Sequence, residues 1–170
     1  MHETRVDVLA LQGLLDRINA AAGPHLRSIF TEPRHLDAVT LTELLAGVQI
    51  LNLATVSKAG RPLVAPVDGI FFRGDWYYGS SPDSVRMRHV RARPAVSASH
   101  TRGEQLAVIV HGDARIIERD AAEHAEFRQS LLDTSVPMYG PSWESFAAEA
   151  QDARIDAWKL FAVAFDPTER

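Results

Sequence analysis

The stretch GSSPDSVR, residues 79–86, places the hydroxyls of Ser80, Ser81 and Ser84 within a few positions of the Arg86 guanidinium, directly after the aromatic run WYY. These groups suit a phosphomonoester, because a guanidinium grips phosphate oxygens in bidentate fashion while hydroxyls donate to the remaining lone pairs. Ser81 is expected as a helix N-cap, Pro82 at the first helical position and Asp83 in the first turn. The first amides of such a helix lack intrahelical acceptors and point back at the serines. Gly79 leaves the backbone open to a ligand. With Met87 and Val90 facing the core, Arg86 falls at the edge of that face, beside the helix start.

The same residues admit plainer readings. Arg86, Arg88, Arg91, Arg93 and Arg102 lie between Ser84 and Gly103 with no acid among them, and a charge run of this kind is also the mark of a solvated face. Asp83 is able to cap the helix with no ligand present. A nucleic-acid interface is disfavoured by the net charge of −4 and pI of about 5.9 over 170 residues, and no aromatics alternate with the arginines. Any anion site must be local.

Other chemistries are largely excluded. The chain has no cysteine, which removes disulfides, thiolate metal sites and a cysteine nucleophile, and fits a cytoplasmic location. Its seven histidines show no paired ligand spacing, so no metal is expected. The sequence contains no nucleophile elbow, P-loop or dinucleotide fingerprint. No apolar stretch approaches the roughly 20 residues that span a bilayer, so no membrane partner is expected.

The elements that must position the serines and Arg86 are legible as periodicities. Val8, Leu11, Leu15 and Ile18 recur at helical spacing over 4–22, and Gly23-Pro24 stops the pattern. In TLTELLAG, Thr40 and Glu43 have the spacing of a capping box, with Gly47 at the helix end. Strands are predicted over 49–57 and 62–72 around KAGR, whose Gly60 suits a tight hairpin. A turn at Arg73-Gly74-Asp75 leads into WYYGS, and further strands over 95–101 and 105–117 flank Arg102-Gly103-Glu104. LAVIV is apolar throughout, so that strand is expected to be covered on both faces. The chain then reads as helical from Asp120 through PMYGPSWESFAAEA and closes with the strand AWKLFAVAF. The expected fold is an antiparallel β-barrel with peripheral helices, an α+β arrangement, in one domain over 1–170. Its parts are a helical segment at 1–47, barrel strands with the phosphate helix at 48–118, and helices with the closing strand at 119–170.

In LATVSKAGRPLVAPV, WYYGSSPDSVRMRHVRARPAV and VHGDAR, in that order, the chain resembles the split-barrel flavoproteins of the pyridoxamine 5'-phosphate oxidase superfamily. The later helix through FRQSLL and the closing strand also match, so the resemblance covers about two thirds of the chain. It implies an FMN-binding split barrel in which Ser84, Val85 and Arg86 open the helix that holds the FMN phosphate, with Arg86 as the ligand. Gly79 and Ser80 then touch the phosphate arm or ribityl chain, with Ser81 and Met87 nearby. Arg61 and the backbone of Val64, Ala65, Pro66 and Val67 lie along the flavin. It also implies a homodimer with the cofactor at the subunit interface. Two features depart from the family pattern: Val85 stands where a first basic residue often sits, and AWKLFAVAFDPTER lacks the arginine and histidine pair that binds pyridoxamine phosphate. The expected activity is therefore an FMN-dependent oxidoreduction of another small molecule.

Flavin chemistry needs no strong acid or base in the sequence, because the cofactor carries the redox step. Asp68 is a candidate to tune the ring or a turn-proximal solvent contact. His111 reads as a tuning residue or as a satisfied core histidine, and Trp158 as a flavin-stacking ring or as core. An 8-hydroxy-5-deazaflavin coenzyme is the alternative cofactor, its longer tail drawing on Arg61, Lys58, Arg88 or Arg91. A non-catalytic barrel that carries flavin or haem is the third reading.

Overall fold

The computed structural model describes residues 3–164, apart from the side chain of Phe146. Helix α1 (Arg5–Ala20) opens with Thr4, whose Oγ accepts from the Asp7 amide while the Asp7 carboxylate accepts from the Thr4 amide. Its buried stripe is Leu11 and Leu15. Helix α2 (Pro24–Ile29) follows after Gly23, and α3 (Ala38–Leu44) begins at Asp37. The expected Thr40–Glu43 capping box is not formed. Asp37 is the cap, three residues earlier than the expected one, because its carboxylate reaches the Thr40 amide at 2.8 Å and the Thr40 hydroxyl at 3.0 Å. That amide bond holds the Asp37 carboxyl below its usual range.

Six strands form a closed antiparallel barrel in the order β1-β2-β3-β6-β5-β4. They are β1 (Val48–Val56), β2 (Pro62–Phe72), β3 (Asp75–Ser80), β4 (Ala95–Arg102), β5 (Leu106–Ile117) and β6 (Gln151–Ala164). Gly60 takes φ 75° in the first hairpin, and Arg73 and Gly74 take φ 53° and 87° in the second, the left-handed pair that a two-residue turn demands. Residues alternate across each strand: Leu51, Leu53, Val67, Trp76, Tyr78, Val96, Ala98, Val108 and Val110 fill the barrel, while Ile50, Asn52, Val64 and Pro66 face outward. The outer faces of β2 and β3 carry a second cluster, where Ile70, Phe72 and Tyr77 pack on Phe127 of α5 (Ala125–Tyr139).

Two boundaries differ from expectation in the C-terminal part. A short 3-10 turn over Ala122–His124 precedes α5, and Gly140 at φ 86° separates α5 from α6 (Trp143–Glu149). The closing strand begins at Gln151, six residues before AWKLFAVAF, and Phe165 of that segment lies outside the described residues. β6 carries a bulge: Lys159 pairs with His111 and Ala157 with Gly112, so Trp158 is the extra residue. Gly112 is required there, since a Cβ would lie 2.5 Å from the Asp156 carbonyl. No helix among the described residues is long and apolar enough to cross a membrane.

Candidate functional site

Strand β3 ends at Ser80, and helix α4 (Val85–Ala92) starts five residues later. The N-cap is Ser84, not Ser81. Ser84 has extended backbone and its Oγ accepts from the Met87 amide at 3.3 Å. The segment 81–84 is a turn closed by the Ser84 amide on the Ser81 carbonyl at 3.0 Å. Pro82 suits position two of that turn as well as it suits a first helical position. The Ser80 hydroxyl donates to Ser84 Oγ at 3.0 Å, which joins the strand end to the cap.

Helix α4 is fixed to the barrel by burial and by three polar ties. Met87 is fully buried and Val90 is 3% exposed, together removing enough apolar surface to stabilise the docking by roughly 4 kcal/mol. Thr55 Oγ1 lies 2.9 Å from His89 Nδ1, Arg93 Nε donates to the Val56 carbonyl at 2.8 Å, and Arg91 donates to the Pro82 carbonyl at 2.7 Å and to Gln151 Oε1. Arg88 donates to the Asp83 carbonyl, and Arg102 to the Leu44 carbonyl and to Gln49. The arginine run is therefore not a shared anion cluster, and Arg88, Arg91 and Arg102 lie exposed on the surface. Four of its five members donate to backbone carbonyls: Arg88 and Arg91 in the loop before α4, Arg93 at the end of β1 and Arg102 at the end of α3.

Arg86 is different. Half-buried at the second helical position, its guanidinium has neither a carboxylate nor a carbonyl partner among the described residues. The amides of Val85 and Arg86 also lack acceptors among the described residues. Beneath lies Tyr78, 2% exposed, whose hydroxyl has no hydrogen-bond partner among the described residues. Burial pushes the Tyr78 hydroxyl above its ordinary range, and the Arg86 charge partly opposes that shift. A guanidinium, two helix-start amides and the paired Ser80 and Ser84 hydroxyls thus lie together where β3 passes into α4, and the buried Tyr78 phenol feels the Arg86 charge. The donors outnumber the acceptors, as an anion site requires.

The remaining predicted residues divide by strand face. Arg61 is exposed in the β1-β2 connection, where its amide donates to Ser57 Oγ at 3.0 Å. Val64 and Pro66 lie on the outer barrel face, while Val67 turns its side chain into the core. Ala65, paired with inward-facing Leu53, points the same way as Val67. Met87 is a core side chain, and Ser81 and Gly79 are exposed beside the cap. Asp68 accepts from the Tyr139 hydroxyl at 3.0 Å. His111 is no core histidine. It faces outward with Nδ1 2.7 Å from Ser97 Oγ and its ring stacked on Trp158, and desolvation, then the Lys159 charge, hold its pKa below the usual value. Trp158 is 60% exposed because the bulge turns it out of the barrel. The buried Asp152–Arg119 pair, with Oδ2 2.5 Å from Nε, was not visible in the sequence. Asp152 lies opposite Gly79, where a Cβ would come within 2.9 Å of Asp152 Oδ1.

The closed antiparallel barrel with its peripheral helices has counterparts among solved structures. A conserved hypothetical protein of Mycobacterium tuberculosis superposes with TM-score 0.64 at 16% identity, over 79% of this chain and 89% of its own. A FAD-binding protein of Mesorhizobium loti superposes with TM-score 0.58 at 23% identity, over 77% and 96%. A protein described as an F420 reductase does so with TM-score 0.53 at 18% identity, over 69% and 93%. At these identities the likeness is one of fold. No curated protein matches the sequence. The family model for pyridoxamine 5'-phosphate oxidase, in contrast, matches residues 40–164, which run from α3 through every barrel strand and the Ser84–Arg86 cradle, so the chain belongs to the pyridoxamine 5'-phosphate oxidase family.

Proposed function

We propose that the chain binds FMN as a homodimer and acts as an oxidoreductase on a small molecule other than pyridoxamine phosphate. The observation that carries this reading is Arg86: of the arginines between Ser84 and Gly103, it alone has no carbonyl or carboxylate partner among the described residues, and it stands over hydroxyl and amide donors. Arg86 takes two phosphate oxygens, the Val85 and Arg86 amides and the Ser84 hydroxyl take others, and Tyr78 donates its unpartnered proton to the remaining charge. Val64 and Pro66 present an apolar outer surface to an aromatic ring, and the neighbouring exposed Asn52 offers an amide to its polar edge. Bound flavin would supply the electron transfer. The residues of the chain orient it and exclude water.

A deazaflavin coenzyme, the class F420 names, is the second reading. Arg88 and Arg91 are committed to carbonyls, but Lys58 and Arg61 are exposed with no side-chain partner among the described residues. These two cations suit a longer anionic tail.

Titration of the purified protein with FMN and with the deazaflavin tests both. Saturable FMN binding with flavin absorbance is expected, and Arg86→Glu should abolish it. Tight deazaflavin binding with negligible FMN binding selects the second reading, and indifference to both sinks the cofactor assignment.

A further inference from the structure

The groove between the N-terminal helices and the outer faces of β5 and β6 takes no part in the cradle at Arg86. It encloses about 430 Å3, within the range that small-molecule sites occupy. Its walls are apolar, built from Ile18, Leu26, Phe30, Ile109 and Phe161. Phe30 meets Phe161 edge to face at 4.8 Å, which ties the end of α2 to β6 across the groove. Another part of the lining is polar. Lys159 and His111 face each other there across the β5-β6 pair. The contact with Ser97 and the stack on Trp158 fix the His111 ring. Among the described residues Lys159 has no carboxylate partner and no acid lines the groove.

An apolar trough with one unpaired ammonium in its lining is complementary to an apolar molecule with one anionic end. Removal of the body from water supplies affinity, and the charge sets direction. We infer that this groove binds an apolar carboxylate, with its body against Ile109 and Phe161 and its carboxylate on Lys159. Strand pairing also connects the groove to the flavin face. Val64, Ala54, Ser97, His111 and Lys159 form one transverse row across β2, β1, β4, β5 and β6. At a strand spacing of about 4.8 Å, His111 lies roughly 14 Å from Val64. Describing the carboxylate as a substrate rests on the flavin reading; its binding does not.

Calorimetric titration of the full chain, free of cofactor, with decanoate and with decanol separates charge from apolar burial. Decanoate should bind saturably and about tenfold tighter than decanol at neutral pH. Lys159→Met should remove that preference and leave decanol affinity unchanged. Leu26→Trp, at a position 38% exposed, should weaken both ligands by filling the trough, with an unchanged Tm as the folding control. Equal affinities, a preference that survives Lys159→Met, or no saturable binding would overturn the inference. Because the titration contains no flavin, failure here leaves the Arg86 reading intact, and failure of FMN to bind leaves this result intact.

Discussion

A tyrosine hydroxyl buried without a partner costs on the order of 1–3 kcal/mol, and Tyr78 bears that cost at the base of the Arg86 cradle. Such a group is retained where a ligand satisfies it. Tyr78→Phe should therefore raise the stability of the free protein by about 1 kcal/mol and weaken FMN binding about tenfold. Thermal melts with and without FMN check both halves. A variant that loses stability while keeping FMN affinity would show that the hydroxyl serves the core. Arg86 was legible as a candidate anion ligand, beside the plainer reading of a solvated face, because a guanidinium, serines and a glycine fall together in residues 79–86. Tyr78 was not, because an aromatic residue in a strand reads as core and its missing partner exists only in three dimensions. The core alternatives for His111 and Trp158 fall away for a related reason: the bulge that turns Trp158 outward depends on the pairing of β6 with β5, which no local pattern records.

Among elements, the first five strands were legible almost to the residue, since period-two alternation and glycine turns are local signals, while the closing strand starts six residues before its apolar run. The starts of α3 and α4 were not legible. In both α3 and α4 several Ser, Thr or Asp residues lie within one turn of each other, and the cap goes to the one whose oxygen reaches the third amide. That choice moved the start of α4 to Ser84, which leaves the loop 81–84 hanging between β3 and α4. Its anchor on the far side is β6, where Gln151 pairs with Ser80 and accepts from Arg91. The next residue, Asp152, is 3% exposed and paired with Arg119, which also donates to the Ala147 carbonyl of α6. Removing one partner strands a buried charge. Arg119→Met is expected to cost about 3 kcal/mol, roughly 10 °C in Tm, and to loosen FMN binding through the β3 end. A fall below about 2 °C would mean that the Asp152 carboxylate finds water, and the strand end would then need another anchor.

For the whole molecule, closure of the barrel hides every strand edge, so association must use faces. The outer face of β1 and β2 is the apolar one: Ile50 is 53% exposed and Val64 66%, with Pro66 also exposed between Val64 and Asp68. The chain itself covers other parts of the outer barrel, β2 and β3 by α5 and parts of β5 and β6 by the N-terminal helices, while Trp158 on β6 stays exposed. Several apolar residues left bare together on one barrel face are those expected to meet a partner. A homodimer through this face also places the proposed flavin surface where water is excluded. Val64→Glu tests this without touching the core, because an exposed strand position tolerates the charge in a monomer but opposes its symmetry mate across a two-fold interface. Sedimentation velocity should report a dimer for the wild type and a monomer with an unchanged Tm for Val64→Glu, and FMN affinity should fall with the dimer. A variant that stays dimeric would move the interface to another face. One that becomes monomeric yet binds FMN at full strength would confine the cofactor to a single subunit, leaving Arg86 and its donors to hold it without help.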